Sequence, residues 1–520
     1  MRLNTGLVSL RAPVAAAVAT LMLGGAAQAA TVNWVGGNGY WDDKGSWSSY
    51  ALPGPTDDVV LAWPYSMGGT TYLSYGYPSY SKLTQIGSLR IGSDNRVHIH
   101  GTTLQVDGSI GNDGEIRLFR SYSNPTALKI GTSTTISGTG VLTLETNSVL
   151  DLGSHTLTIG TGQTIRGSGD IGNGTLVNQG HLVADGVLYL YPSATSVDNT
   201  AGKISIGGTS ILSAGGSSVA GGRIVTASGG AIYGAFSPYS AVFSKVTFEG
   251  DAQFGGGMTL IDAANKGTLR INGNSAVATI KGALTNDGDI IVDQKLAAEG
   301  DAKLAGSGTV WLRRINIPYP SSSIGFIDVT AGSTLTIDST QTVRGAGRIM
   351  GASNSHVVNN GSLVAEGGMF YLYAGDGTFD NSAGHITIAH DATLGTTGTL
   401  ILGDASTITF DVGSSAADHG TLAMLSSTAQ MLDGTLELNI GYSAQVGDSF
   451  SLLSYSGGGF TGSFDQVIAS GYNIATSYNA SNLTVTITGI APVPEPASWL
   501  LAGAGLLLIG GRMRGRKPAG

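Results

Sequence analysis

Few side chains in this 520-residue chain have the type and spacing that chemistry needs. His98 and His100 stand two apart in Arg96-Val-His-Ile-His100, so on a strand both rings share a face, as a metal pair would require. The chain has no cysteine and no second histidine pair at that spacing, which favours solvated imidazoles over a metal site. Asp42/Asp43 and Asp57/Asp58 are adjacent acids, which on a strand point to opposite faces and do not converge as an acid/base couple. Asp287 and Asp289 can share a face, but Asp287 belongs to a turn motif described below. Gly167-Ser-Gly-Asp-Ile-Gly172 has dinucleotide-loop spacing, yet the related Gly345-Ala-Gly-Arg-Ile-Met350 lacks the last glycine and neither opens a helical pattern, so both read as turns. A nucleophile elbow, a phosphate loop and a His-Glu-x-x-His zinc motif are all absent. In Gly36-Gly-Asn-Gly-Tyr-Trp41 a tryptophan stands where a calcium-binding repeat needs aspartate. The expectation is no catalytic residue, no cofactor and no metal.

Aromatic and hydroxyl side chains offer surfaces instead. Tyr65, Tyr72, Tyr75, Tyr77 and Tyr80 crowd an irregular Gly/Ser/Pro stretch, and Tyr189 and Tyr191 recur as Tyr371 and Tyr373. Such residues either cover exposed strand surface or present a stacking platform to sugar rings or a partner protein. Threonine triplets (Thr156/Thr158, Thr334/Thr336, Thr484/Thr486/Thr488) resemble pieces of an ice-ordering array, but they are scattered and ordinary strand propensity accounts for them.

The elements that carry these residues follow from composition and repetition. Charged residues are 12% of the chain, hydrophobic residues 41%, and 81 residues are glycine. The termini hold Arg2, Arg11, Arg512, Arg514, Arg516 and Lys517 but only one acid, Glu495, so the body is more acidic than the net −9 of the whole chain. With no basic stripe to meet phosphates, nucleic acid is excluded as a partner. Without disulfides, a body this long needs several domains or an elongated core that grows along one axis.

Repetition selects the second. Leu157-Thr-Ile-Gly-Thr-Gly-Gln-Thr-Ile-Arg-Gly-Ser-Gly-Asp-Ile171 returns as Leu335-Thr-Ile-Asp-Ser-Thr-Gln-Thr-Val-Arg-Gly-Ala-Gly-Arg-Ile349. The likeness continues from Asn178-Gln-Gly-His-Leu-Val-Ala184 to Asn359-Asn-Gly-Ser-Leu-Val-Ala365. Gly-small-Gly devices start at Gly138, Gly167, Gly306 and Gly345, and Asn-x-Gly devices at Asn112, Asn178, Asn286 and Asn359. Both types tolerate positive φ, so each is expected to turn the chain sharply into a short strand of period two. Turns recurring about 20 residues apart, as from Asn178 to Asn199, define coils. The predicted fold is all-β, a right-handed parallel β-helix (solenoid), one period to a coil. Tryptophans from Trp34 to Trp63 supply an N-terminal aromatic cap, and 411–490 supply C-terminal coils and a β cap. These two ends resemble the first and last coils of autotransporter and filamentous-adhesin passengers.

Both termini read as addresses. Arg2, Arg11, a short apolar run and Ala27-Gln-Ala29 form a secretory signal cleaved after Ala29, implying Sec export and signal peptidase. At the other end, Pro494-Glu495-Pro496 precedes an apolar stretch at 497–511, a short transmembrane helix, and the basic stop-transfer tail Arg512, Arg514, Arg516 and Lys517. This order resembles the PEP-CTERM sorting signal, a tail also catalogued with ice-binding proteins. The resemblance implies recognition by an exosortase, a membrane protease of Gram-negative bacteria that make exopolysaccharide, with transient anchoring in the inner membrane and a final place on the cell surface or outside the cell.

The sequence thus divides into a signal peptide (1–29), N-terminal cap and first coils (30–100), a repetitive β-helix (101–410), C-terminal coils and cap (411–490) and the sorting signal (491–520). The function expected is that of a non-catalytic surface or matrix protein, an adhesin or structural spacer in an exopolysaccharide biofilm. The alternatives are a carbohydrate-active β-helix enzyme (polysaccharide lyase or glycosidase) and, behind it, an ice-binding protein.

Overall fold

The computed structural model describes residues 29–62, 69–74, 82–121, 124–190, 195–235, 239–273, 275–315, 323–426, 429–457, 459–479 and 481–491. These residues wind as a parallel β-solenoid. Over two long stretches, from Asp58 to Ile206 and again from Asp289 to Gly351, a strand pairs in parallel with the third strand further along the stack, so three strands make one coil with three faces. On face I, Val32 pairs with Val59, Val59 with Leu89, Leu89 with Ile110 and Ile110 with Ile136. Face II aligns Val97, Ile116, Leu142, Ile165, Leu182 and Ile204, and face III aligns Leu104, Leu128, Leu150 and Ile171. All these side chains are buried, because strand alternation turns each Val, Ile or Leu inward and its Thr, Ser or charged neighbours outward. Only one short 3₁₀ turn, Lys44–Ser46, interrupts the β-structure among the described residues.

Corners decide whether coils stay in register. Gly138, Gly167, Gly306 and Gly345 all have positive φ, between 96° and 132°. A Cβ at Gly167 would stand 1.9 Å from the Leu144 carbonyl oxygen of the previous coil, so only glycine fits. The asparagines behave differently from expectation. Asn112, Asn178, Asn286 and Asn359 are absent from the positive-φ residues and are fully buried. Their amides instead run between coils: Asn178 Nδ2 donates to Asn199 Oδ1, Asn265 to Asn286 and Asn359 to Asn381, each at 2.7 Å. Asparagine is there to satisfy buried corner backbone, as in the bond from Asn265 Nδ2 to the Asp289 carbonyl.

The two copies of the repeat do not lie on the same faces. Leu157 belongs to face I, where it pairs with Leu176, whereas its counterpart Leu335 pairs with Ala302 and Val357 on face II. The long strands Arg223–Tyr233, Thr247–Gly255 and Gly257–Asn265 run across corners between the copies, so the offset is not a whole number of coils.

At the N-terminal end Trp34, Trp41 and Trp47 pack edge to face with ring centres 4.9 and 4.8 Å apart, and Trp47 Nε1 donates to the Trp41 carbonyl. At the other end the winding stops being parallel: Asn482–Ile490 pairs antiparallel with both Ser449–Tyr455 and Tyr472–Asn479. The expected helix at 497–511 lies outside the described residues, among which no helix is long and apolar enough to cross a membrane.

Replacing Asn265 by Ala should strip partners from Asn286 and the Asp289 carbonyl and cost about 1–3 kcal/mol. In a stacked repeat the loss should be local. Hydrogen exchange should quicken in strands from Thr247 to Val292 and stay unchanged around Val97–Leu144. Uniform loss along the chain would contradict this.

Candidate functional site

The first coils carry a ladder of rings on face II. Tyr40, Tyr72 and His98 are successive partners in register, and Phe119 pairs with His100. Ring centres are 5.8 Å apart for Tyr40–Tyr72, 5.4 Å for Tyr72–His98 and 4.9 Å for His98–Phe119, with the Arg117 guanidinium 4.7 Å from the Phe119 ring centre. His98 is therefore not the solvated imidazole its spacing suggested. Both its ring nitrogens are buried without partners among the described residues, and burial, opposed by Glu115, lowers its pKa below the ordinary value. Beside the ladder lies a polar groove of about 550 Å³ lined in part by Arg96, Arg117, Arg166, Asp113 and Glu115. Its charges are matched across coils: Arg96 meets Glu115 at 3.3 Å, Arg117 meets Glu145 at 2.6 Å and Arg166 meets Asp185 at 2.6 Å. Burial is the largest influence on Glu145 and raises its pKa, but the Arg120 amide and Arg117 outweigh it and leave the carboxyl below its ordinary value.

The acids singled out by spacing hold turns and edges. Asp43 accepts from the Gly45 amide and the Ser46 hydroxyl, Asp57 from the Gly54 amide, and Asp58 from Ser88. Asp287 accepts from the Ser307 amide and Asp289 from Trp311 Nε1. One grouping escaped the sequence reading: Asp404, Asp433 and Asp465, each in a corner turn, bring ligand oxygens within 4.8 Å of one another. They are far apart in the chain, so only the coil register could have shown it.

Of the tyrosines, Tyr189 on face III is 39% exposed and Tyr373 on face I is 54% exposed. The phase shift between the repeats thus puts Tyr189 on a different face from Tyr371 and Tyr373, and they do not make one platform. Tyr65, Tyr75, Tyr77, Tyr80 and Tyr191 lie outside the described residues, as do Pro494, Glu495, Pro496, Arg512, Arg514, Arg516 and Lys517; Ala29 is the first residue described. Threonine does align between coils in places: Thr309 pairs with Thr342, but Ser362 and His385 follow in that column.

Comparison with known proteins adds to this geometry. Residues 492–517 match the PEP-CTERM protein-sorting motif. The molecule is thus a parallel β-solenoid that carries a C-terminal sorting motif. The motif implies export to the cell envelope or surface and processing by an exosortase-type membrane protease. Among solved structures the chain is similar to a TibC-catalysed hyper-glycosylated TibA fragment, at 12% identity and a TM-score of 0.23, over 66% of this chain and 98% of that one. No curated protein matches the sequence.

A pH-sensitive contact sits near the C-terminal end. Asp418 accepts from the Ser414 amide, from His390 Nδ1 at 2.9 Å and from the Ser414 hydroxyl, which hold its pKa at about 2; hydrogen bonding to Asp418 raises that of His390. The contribution of His390 is complete below its ordinary 6.5 and is lost as pH climbs through the raised value. That of Asp418 is complete above 3.8 and is lost as pH falls through about 2. An NMR titration should give His390 a midpoint above 6.5 that falls towards 6.5 in Asp418→Asn. An unshifted midpoint in the parent protein would contradict the contact.

Proposed function

We propose that this chain is a non-catalytic protein of the cell surface or extracellular matrix, a rigid spacer or adhesin within an exopolysaccharide layer. In this reading the signal peptide takes it through the Sec route and the 497–511 helix holds it briefly in the inner membrane. The sorting protease then cuts at the PEP motif. The observation that carries the reading is the pairing of that motif with a long, largely parallel stack of coils. Such a stack adds length without adding a closed cavity, which suits reach and surface more than chemistry. Its outer faces carry cross-coil ion pairs and hydroxyl columns, chemistry compatible with a hydrated polysaccharide.

The enzyme alternative would use the groove lined by Arg96, Arg117, Arg166, Asp113 and Glu115. There each arginine is engaged by a carboxylate, and Asp113 accepts from the Thr139 amide, a pattern that serves the ladder. Mass spectrometry of the C-terminus of surface-extracted protein tests the proposal. Mature chains should end before the basic tail, and Glu495→Ala should leave Gly520 in place and reduce surface protein. Mature surface protein with an intact Gly520 would overturn the processing step.

A further inference from the structure

Tyr371 and Tyr373 belong to a concavity that their spacing alone does not define. The strand Met369–Asp380 lies between Arg348–Gly351 and Thr393–Ile401 on face I. Register sets Phe326, Arg348, Tyr371 and Gly395 in one outward column, and Asp328, Met350, Tyr373 and Thr397 in the next. Arg348, Met350, Tyr371 and Tyr373 line an open space of about 400 Å³. Gly395 makes room for the first tyrosine, because a Cβ there would come 2.8 Å from Tyr371 Cδ1.

Arg348 distinguishes this site. Its guanidinium lies 5.0 Å from the Phe326 ring centre, and its Nε is buried without a hydrogen-bond partner. No carboxylate pairs with it among the described residues, whereas Arg117, Arg166, Arg313 and Arg344 each hold one. Asp328, one column over, is taken by Lys295. Thr397 Oγ1, beside Tyr373 in register, is a second buried polar atom without a hydrogen-bond partner among the described residues. A guanidinium left without an acid, next to two tyrosine rings, matches a ligand with one carboxylate and one flat apolar face.

We propose that this concavity is a subsite for a carboxylate-bearing sugar, a uronic acid unit of an acidic polysaccharide. Tyr371 and Tyr373 offer ring faces to the pyranose, and the Arg348 guanidinium donates to its carboxylate. The proposal rests on the matrix reading above and names the chemistry of its ligand. An acidic chain of net charge −9 gains no long-range attraction to a polyanion, so recognition depends on this local contact and grows with the number of units engaged.

Calorimetric titration of the full chain with polygalacturonate oligomers and with neutral dextran oligomers of equal length tests it. The acidic oligomer should bind at least about tenfold more tightly, a difference that Arg348→Gln should abolish. Tyr373→Ala should weaken both by about tenfold, while Tyr189→Ala on face III should change neither. Tyr373 is half exposed, so its variant keeps the fold, and an unchanged circular dichroism spectrum checks this. Equal binding of the two oligomers, no binding of either, or undiminished acidic binding by Arg348→Gln would overturn the subsite. Retention of these variants in the native extracellular matrix would then show that the matrix reading survives without it.

Discussion

Every feature of this molecule depends on one coil resting in register on the next. A parallel ladder commits each residue to a partner roughly 4.8 Å away on the preceding coil. Inside, that aligns columns such as Val97, Ile116, Leu142 and Ile165, and an apolar column needs no charge or disulfide to hold it. Outside, the same register aligns whatever side chains the sequence supplies, so Tyr40 meets Tyr72 and Arg117 reaches Glu145. Surface chemistry here is thus a product of register.

Corners are where this arrangement could fail, and the sequence spends its special residues there. Glycine with positive φ lets Gly167 pass under the Leu144 carbonyl, and buried amides such as Asn265 and Asn286 satisfy backbone groups that the bends expose. Cross-coil ion pairs at exposed positions add little, about 0–1 kcal/mol each by general experience. Apolar columns and corner amides hold the coils together, and the ion pairs decorate them.

The repeat was legible because its devices are local. A Leu-Thr-Ile strand and the Gly-small-Gly turn that comes after it each carry their own conformational signal, and the coil period follows from counting. Which face each strand occupies was not legible, because that depends on the summed length of every intervening corner. Consequently the sequence shows Tyr189 and Tyr371 as equivalents while the fold sends them to different faces. The role of Asn178 was misread for a related reason: asparagine suits both a left-handed turn and a buried amide ladder, and only the neighbouring coil with Asn199 selects the second. The cluster of Asp404, Asp433 and Asp465, the ring stack around His98 and the unpaired Arg348 are products of register alone.

Cross-linking between coils tests that register most directly, since the native chain has no cysteine to interfere. Val183 and Ser205 face each other across face II, whereas Ile204, one residue away, points into the core. Oxidation of Val183→Cys/Ser205→Cys should close a disulfide readily, and Val183→Cys/Ile204→Cys should not. Cross-linking of the second pair in preference to the first would contradict the coil-on-coil account.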